Sequence, residues 1–133
     1  MSLAPCSKVL IANRGEVVSR VARTCRLLGL KTVAVFSEAD AALPFVRDTD
    51  ESELIGSAAA AHSYLDMAKI VAAAKKHNCD AIHPGWGFLS ERADFADAVT
   101  AAGKKETNRG CFVRKNSTTT TTKKKDKNAQ FRF

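Results

Sequence analysis

Val9-Leu10-Ile11-Ala12-Asn13-Arg14-Gly15-Glu16, followed one helix length later by Thr32-Val33-Ala34-Val35-Phe36, decides the fold. Val9 to Ala12 is a short continuous apolar run with β-branched members, the signature of a buried strand. Val17, Val18, Val21, Ala22, Cys25 and Leu28 then recur at helical spacing, with Arg20, Arg23 and Arg26 off that stripe or at its margin. Cys25 falls on the stripe and is expected in the core. Gly29 supplies the helix stop. Asn13 stands where an N-cap belongs, and Glu16, three residues on, completes the pattern of a capping box. Thr32 to Phe36 reads as a second buried strand. Two strands joined by one helix make a βαβ unit, so the sheet is expected to be parallel with a right-handed crossover.

Working outward, the stretch from Ser37 to Ser57 is acidic and irregular, and Glu53 to Gly56 reads as a short third strand at its end. Ser63, with Asp66 three residues later, is placed to cap a helix whose buried face is Met67, Ile70, Val71 and Ala74 and whose end is Asn78. Ala81-Ile82-His83 is a further short strand, stopped by Pro84. A helix from Ser90 or Glu91 to Ala102 follows, with Phe95, Ala98, Val99 and Ala102 on one face, and Gly103 closes it. Residues 1–103 are thus expected to form an α/β, Rossmann-like domain around a small parallel sheet of about three or four strands. From Lys104 to Phe133 the periodicity stops. That segment contains Thr118 to Thr122 and then Lys123-Lys124-Lys125, and it reads as a basic, low-complexity, disordered tail with one apolar patch at Cys111-Phe112-Val113.

Charge divides at the same place. Residues 1–103 carry 11 Lys and Arg against 12 Asp and Glu, whereas residues 104–133 carry 10 against 2. The folded part therefore has no basic signature for nucleic acid, and nucleic-acid binding by the tail is a rival reading that rests on charge alone. No apolar run approaches the ~18 residues of a membrane span. Met1 to Lys8 is too short for a signal or transit peptide, so a cytoplasmic or mitochondrial-matrix setting is the expectation. The cysteines at 6, 25, 79 and 111 form no C-x-x-C and no zinc spacing, and they read as free thiols.

Two motifs compete for function. The turn after the first strand offers one glycine, Gly15, and Glu38 after the second strand, but not the G-x-G-x-x-G that lets backbone approach a pyrophosphate, and no P-loop occurs anywhere. His83-Pro84-Gly85-Trp86-Gly87-Phe88-Leu89-Ser90-Glu91 leaves the carboxyl end of a strand, where open α/β sheets hold ligands. Its two glycines permit a tight turn that pushes Trp86 outward. Physics alone leaves this loop open between a ligand site and a structural turn. His62 and His77 read as exposed helix-end residues without partners. No residue is expected to be catalytic or to ligate metal.

Three segments in order carry a resemblance. Lys8 to Glu16, Thr32 to Asp40 and His83 to Glu91 resemble the opening, the second strand with its turn, and the H-P-G-Y-G-F-L-S-E-N loop of biotin carboxylase domains. These domains belong to acetyl-CoA, propionyl-CoA, 3-methylcrotonyl-CoA and pyruvate carboxylases, which use ATP, Mg2+ and bicarbonate to carboxylate biotin. Arg23 to Gly29 together with Ser37 to Asp40 looks most similar to the methylcrotonyl-CoA branch. The resemblance implies a three-layer, pre-ATP-grasp domain. It places His83, Gly85, Trp86, Gly87 and Glu91 on the biotin-facing loop, with Trp86 for the usual Tyr and Arg92 for the usual Asn. It also makes Arg23 a dimer contact, although Leu27 stands where its acidic partner belongs. His is usual at Phe45. Gly103 should lead into an apolar strand ending in Gly-Pro. Lys104-Lys105-Glu106-Thr107-Asn108 follows instead, which suggests a frameshifted or rearranged coding end.

The expected partners are the remainder of a biotin-dependent carboxylase or its carboxyltransferase subunit, with a homodimer possible through Arg23. A chain without the ATP-grasp region binds none of these cofactors alone and has no carboxylase activity of its own. An interaction module or a non-functional truncated product are the alternatives to that reading.

Overall fold

The computed structural model describes residues 5–107. Residues 104–107 aside, the predicted tail and its patch at Cys111-Phe112-Val113 lie outside the described residues. The elements are β1 (Lys8–Ile11), α1 (Glu16–Leu27), β2 (Lys31–Ser37), β3 (Glu51–Gly56), α2 (Met67–Lys76), β4 (Ala81–His83), α3 (Ala93–Ala101) and β5 (Lys105–Glu106), with short 3-10 turns at 38–40, 44–47 and 60–62. All strand pairs are parallel, in the order β3-β2-β1-β4-β5. The sheet is thus α/β as expected, with five strands.

Alternation along the strands builds the three layers. Val9, Ile11, Ala34 and Ala81 face α1 residues Val18, Val21, Ala22 and Cys25 on one side. Leu10, Val33, Val35 and Ile82 face Ile70, Ala73 and Ala74 of α2 and Phe95 and Val99 of α3 on the other. Both faces are covered, which is why the strands read as continuous apolar runs. Each fully buried Leu, Ile, Val or Phe side chain contributes roughly 1.5–3 kcal/mol. Cys25 lies fully buried among them, and burial pushes its thiol up to about 11. Phe45 is also buried, in the apolar cluster that covers the α1 face of the sheet.

Several local expectations are corrected. Ser63 does not cap α2. Its hydroxyl donates to the Ala59 carbonyl, and Asp66 is the N-cap, accepting from the Lys69 N–H. α3 begins at Ala93 because Ser90 and Arg92 close turns, their N–H groups donating to Gly87 and Leu89 carbonyls. The strand expected to be lost after Gly103 is present for two residues. Lys105 N–H donates to Asp80 O at 3.0 Å and Thr107 N–H to Ile82 O at 3.1 Å, so the chain enters the sheet through backbone bonds that need no apolar side chain.

The amino end of the sheet is laced with charge. Asp80 Oδ2 accepts from Ser7 N–H, Ser7 Oγ and Lys8 N–H at 2.8, 2.9 and 3.0 Å, which ties the start of β1 to the start of β4. These bonds hold its carboxyl below the usual range, the Ser7 N–H contributing most. Asp50 accepts from Thr32 N–H and Oγ1 and pairs with Lys31. His77 is not without partners. Its Nδ1 lies 2.7 Å from Glu51 and its Nε2 2.9 Å from Glu53, while Lys8 pairs with Glu51 and Lys76 with Glu53. Hydrogen bonds to Glu53 and then Glu51 raise the pKa of His77, because the doubly protonated ring satisfies both carboxylates.

Candidate functional site at the carboxyl end of the sheet

β1 leads through α1 to β2 on one side, while its other neighbour is β4. The order therefore reverses between β1 and β4, and the crevice at their carboxyl ends is where α/β sheets hold ligands. Ile11 and His83 are in register there, and Ala12 N–H donates to His83 O at 2.8 Å. The chain leaves β1 at Asn13 and β4 at Pro84, so these two loops meet.

Asn13 joins them. It is only 2% exposed. Its Nδ2 donates to the carbonyls of Pro84 and Trp86, both at 2.8 Å, and its Oδ1 accepts from Arg14 N–H at 2.8 Å. This corrects the capping-box expectation. The N-cap of α1 is Gly15, whose φ of 64° turns the chain into the helix, and no side chain caps it. Asn13 sits two residues too early to cap and is used across the sheet instead.

His83 is buried, and its Nδ1 accepts from Gly85 N–H at 3.0 Å, which assigns the ring proton to Nε2. Burial lowers its pKa and keeps the ring neutral. Gly85 has φ 70°, and a Cβ there would lie 2.7 Å from both Asn13 Nδ2 and Val17 Cγ1. Gly87 has φ 69° but open space around it. Between them the Trp86 carbonyl is held while its side chain stands out, the residue 79% exposed. Phe88 follows with φ 48°, an uncommon conformation for a bulky residue. Its ring packs on Tyr64, centroids 5.3 Å apart and planes at 35°. The sequence thus placed Trp86 outward correctly. Glu91 is exposed at the loop's end.

A second network, not anticipated from the sequence, underlies the loop. Arg14 grips the buried Asp40 carboxylate through Nε at 2.7 Å and a terminal nitrogen at 2.5 Å. Tyr64 donates its hydroxyl proton to the same carboxylate at 2.7 Å and accepts from Ser37 N–H at 3.1 Å. The Arg14 guanidinium lies 6.0 Å from the Tyr64 ring centroid. Arg14 holds the Asp40 carboxyl below the usual range despite burial, and burial, then Asp40, pushes the Tyr64 phenol up to about 12. Asp40 closes the Ser37-to-Asp40 turn, but its partners lie 24 and 26 positions away, and no local pattern announces them.

The other candidates are dispersed. Arg23 is exposed on α1, with Leu27 81% exposed one turn later. Glu38 is exposed in the turn after β2. No group of three or more His, Cys, Asp or Glu among the described residues is arranged to hold a metal ion. A shallow groove of about 280 Å³ lies elsewhere, between β3 and α2, lined by Leu54, Lys69, Ala72 and Lys76 among others. No described helix is long and apolar enough to cross a membrane.

Residues 5–105 match the family model for the N-terminal domain of biotin carboxylase. The chain belongs to that family. Methylcrotonoyl-CoA carboxylase subunit alpha of Dictyostelium discoideum is 53% identical over 103 residues, which are 77% of this chain and 15% of that protein. The biotin carboxylase of Allochromatium vinosum is 56% identical over 100 residues, 75% of this chain and 22% of that one. Human pyruvate carboxylase is 50% identical over 100 residues. Identities from 50% to 56% across these three do not separate the branches by substrate. Among solved structures, the urea carboxylase of Kluyveromyces lactis superposes with a TM-score of 0.75 at 44% identity, over 77% of this chain and 9% of that one. A pyruvate carboxylase of Rhizobium etli superposes with the same score at 39% identity, over 78% and 11%. The chain thus spans about a fifth or less of the length of the Dictyostelium and Allochromatium carboxylases. The match to the family model runs past Gly103 and ends at residue 105, where β5 begins.

Proposed function

We propose that this chain serves ATP- and bicarbonate-dependent biotin carboxylation by presenting the His83–Glu91 loop at the biotin site, and that it does not carry out the reaction alone. The observation behind this reading is a 79%-exposed Trp86 on a loop whose backbone is fixed on both sides. An exposed indole face on a rigid turn suits stacking on the fused rings of biotin, and such a contact is worth more when the ring is pre-organised. Gly85 and Gly87 set the loop conformation, His83 braces Gly85, and Glu91 closes the rim.

The described residues do not fit nucleotide or Mg2+. The β1–α1 turn has one glycine where a pyrophosphate cradle needs several, and its Arg14 is already committed to Asp40. ATP and the metal belong to another region of the parent enzyme in this reading. The remainder of that enzyme, or its carboxyltransferase subunit, is the partner, with Arg23 on α1 offered to a second copy. The setting is the cytoplasm or the mitochondrial matrix.

The test is ATP-dependent carboxylation of free biotin by the 133-residue chain. No turnover is expected. Measurable turnover would overturn the proposal.

A further inference from the structure

We infer that Asn13 is the positioning residue of the loop: its side-chain amide clasps the two carbonyls that flank Gly85 and so fixes where Trp86 stands. The inference rests on the reading above only for what Trp86 faces.

Three observations carry it. The clasp is two-sided, since one Nδ2 serves Pro84 O and Trp86 O at 2.8 Å each, using both of its protons. It is oriented, since Arg14 N–H donates to Oδ1 at 2.8 Å. A flipped amide would set an oxygen against two carbonyls and an NH2 against an N–H, so one orientation is allowed. It is also sterically closed, since a Cβ on Gly85 would lie 2.7 Å from Asn13 Nδ2 and 3.1 Å from Asn13 Cβ. Nothing else in α1 needs Asn13, because Gly15 is the N-cap. A side chain that is buried, fully engaged and unused by its own helix has its effect on the segment it binds, here one that begins 71 positions away.

Asp is the informative replacement. Asn13→Asp keeps the shape but removes both donors, and it places a carboxylate against two carbonyls. The full chain is suited to the measurement because Trp86 is its single tryptophan. Backbone 15N relaxation should give the amides of Gly85, Trp86, Gly87 and Phe88 order parameters of about 0.85 in the unaltered chain, falling below about 0.6 in Asn13→Asp while β1, β2 and the helices keep theirs.

The fluorescence anisotropy of Trp86, the single tryptophan, should fall in the variant as the loop gains motion. Should Asn13→Asp fail to fold, the unaltered chain still decides the matter. The Asn13 side-chain amide protons should exchange with solvent as slowly as the core amides. Loop order parameters unchanged by Asn13→Asp, or fast exchange of those amide protons, would overturn the inference. A loop that loosens as expected in a chain that by itself turns over free biotin would sink the reading above and support the clasp.

Discussion

At the carboxyl end of the sheet, His83 is buried, neutral and bonded to backbone. At the amino end, His77 lies between Glu51 and Glu53 and is driven toward its charged form. The two histidines are six positions apart in sequence and sit at opposite ends of the β4 segment. Around His83 the groups are fixed by backbone conformation and close packing, with Gly85 and Asn13 in each other's way of any larger side chain. Around His77 the partners are long, partly exposed Lys and Glu side chains that can be exchanged at small cost. Shape is what the carboxyl rim cannot give up, whereas the amino rim is held by charge. That division suits a sheet whose ligand crevice is at its carboxyl end.

The sharpest way to break this comparison is Gly85→Ala. A positive φ and a Cβ at 2.7 Å from two side chains should together cost about 3 kcal/mol, read as a fall of more than about 10 °C in thermal midpoint. Gly87→Ala, with the same φ and no clash, should cost about 1 kcal/mol. Equal losses would mean that packing against Asn13 does not matter.

The pH dependence comes next. His83 has a lowered pKa, so its contribution is complete above the ordinary value of 6.5 and is lost as pH falls below it. His77 has a raised pKa, so its contribution is complete below 6.5 and is lost as pH rises through its folded value. The lowered Glu51 and Glu53 lose theirs only below 4.5. Melting curves between about pH 5 and about pH 8, short of the range in which the buried Cys25 and Cys79 thiols also cost stability, should therefore fall by a few °C toward both ends, and His77→Gln should remove only the alkaline fall. A variant that keeps the alkaline fall would remove His77 from the account.

The smallest effect should come from the amino rim's most exposed pair. Lys31→Met should change stability by less than about 0.5 kcal/mol in denaturant titration, because Asp50 keeps its bonds to Thr32. A loss comparable to that of Gly85→Ala would erase the distinction between the two rims.

The strands and helix faces were legible because their signal is periodic and local. Val9 to Ala12, Thr32 to Phe36 and the stripe through Val18, Val21, Ala22 and Cys25 all lie where their spacing puts them. The glycine-bracketed loop was legible too, in residue types and in the outward Trp86. What could not be read was which polar side chain serves which distant backbone. Asn13 and Ser63 both match a capping pattern, and both are used elsewhere, because tertiary hydrogen bonds outcompeted the local ones. Asp40 and His77 find partners more than twenty positions away. β5 escaped notice because its pairing is made by backbone, with Lys105 and Glu106 giving no strand-like pattern.

The tie made by Asp80 has a kinetic meaning. It joins residues 72 and 73 positions apart, whereas β1 and β2 pair Lys8 with Lys31. Closing the longer loop costs about 1 kcal/mol more in chain entropy, which favours assembly of the β1-α1-β2 unit before β4 docks. A bond that forms after the barrier leaves the folding rate nearly untouched and slows unfolding. Asp80 is accordingly a latch on the finished sheet, governing how long the domain stays closed more than how fast it is made.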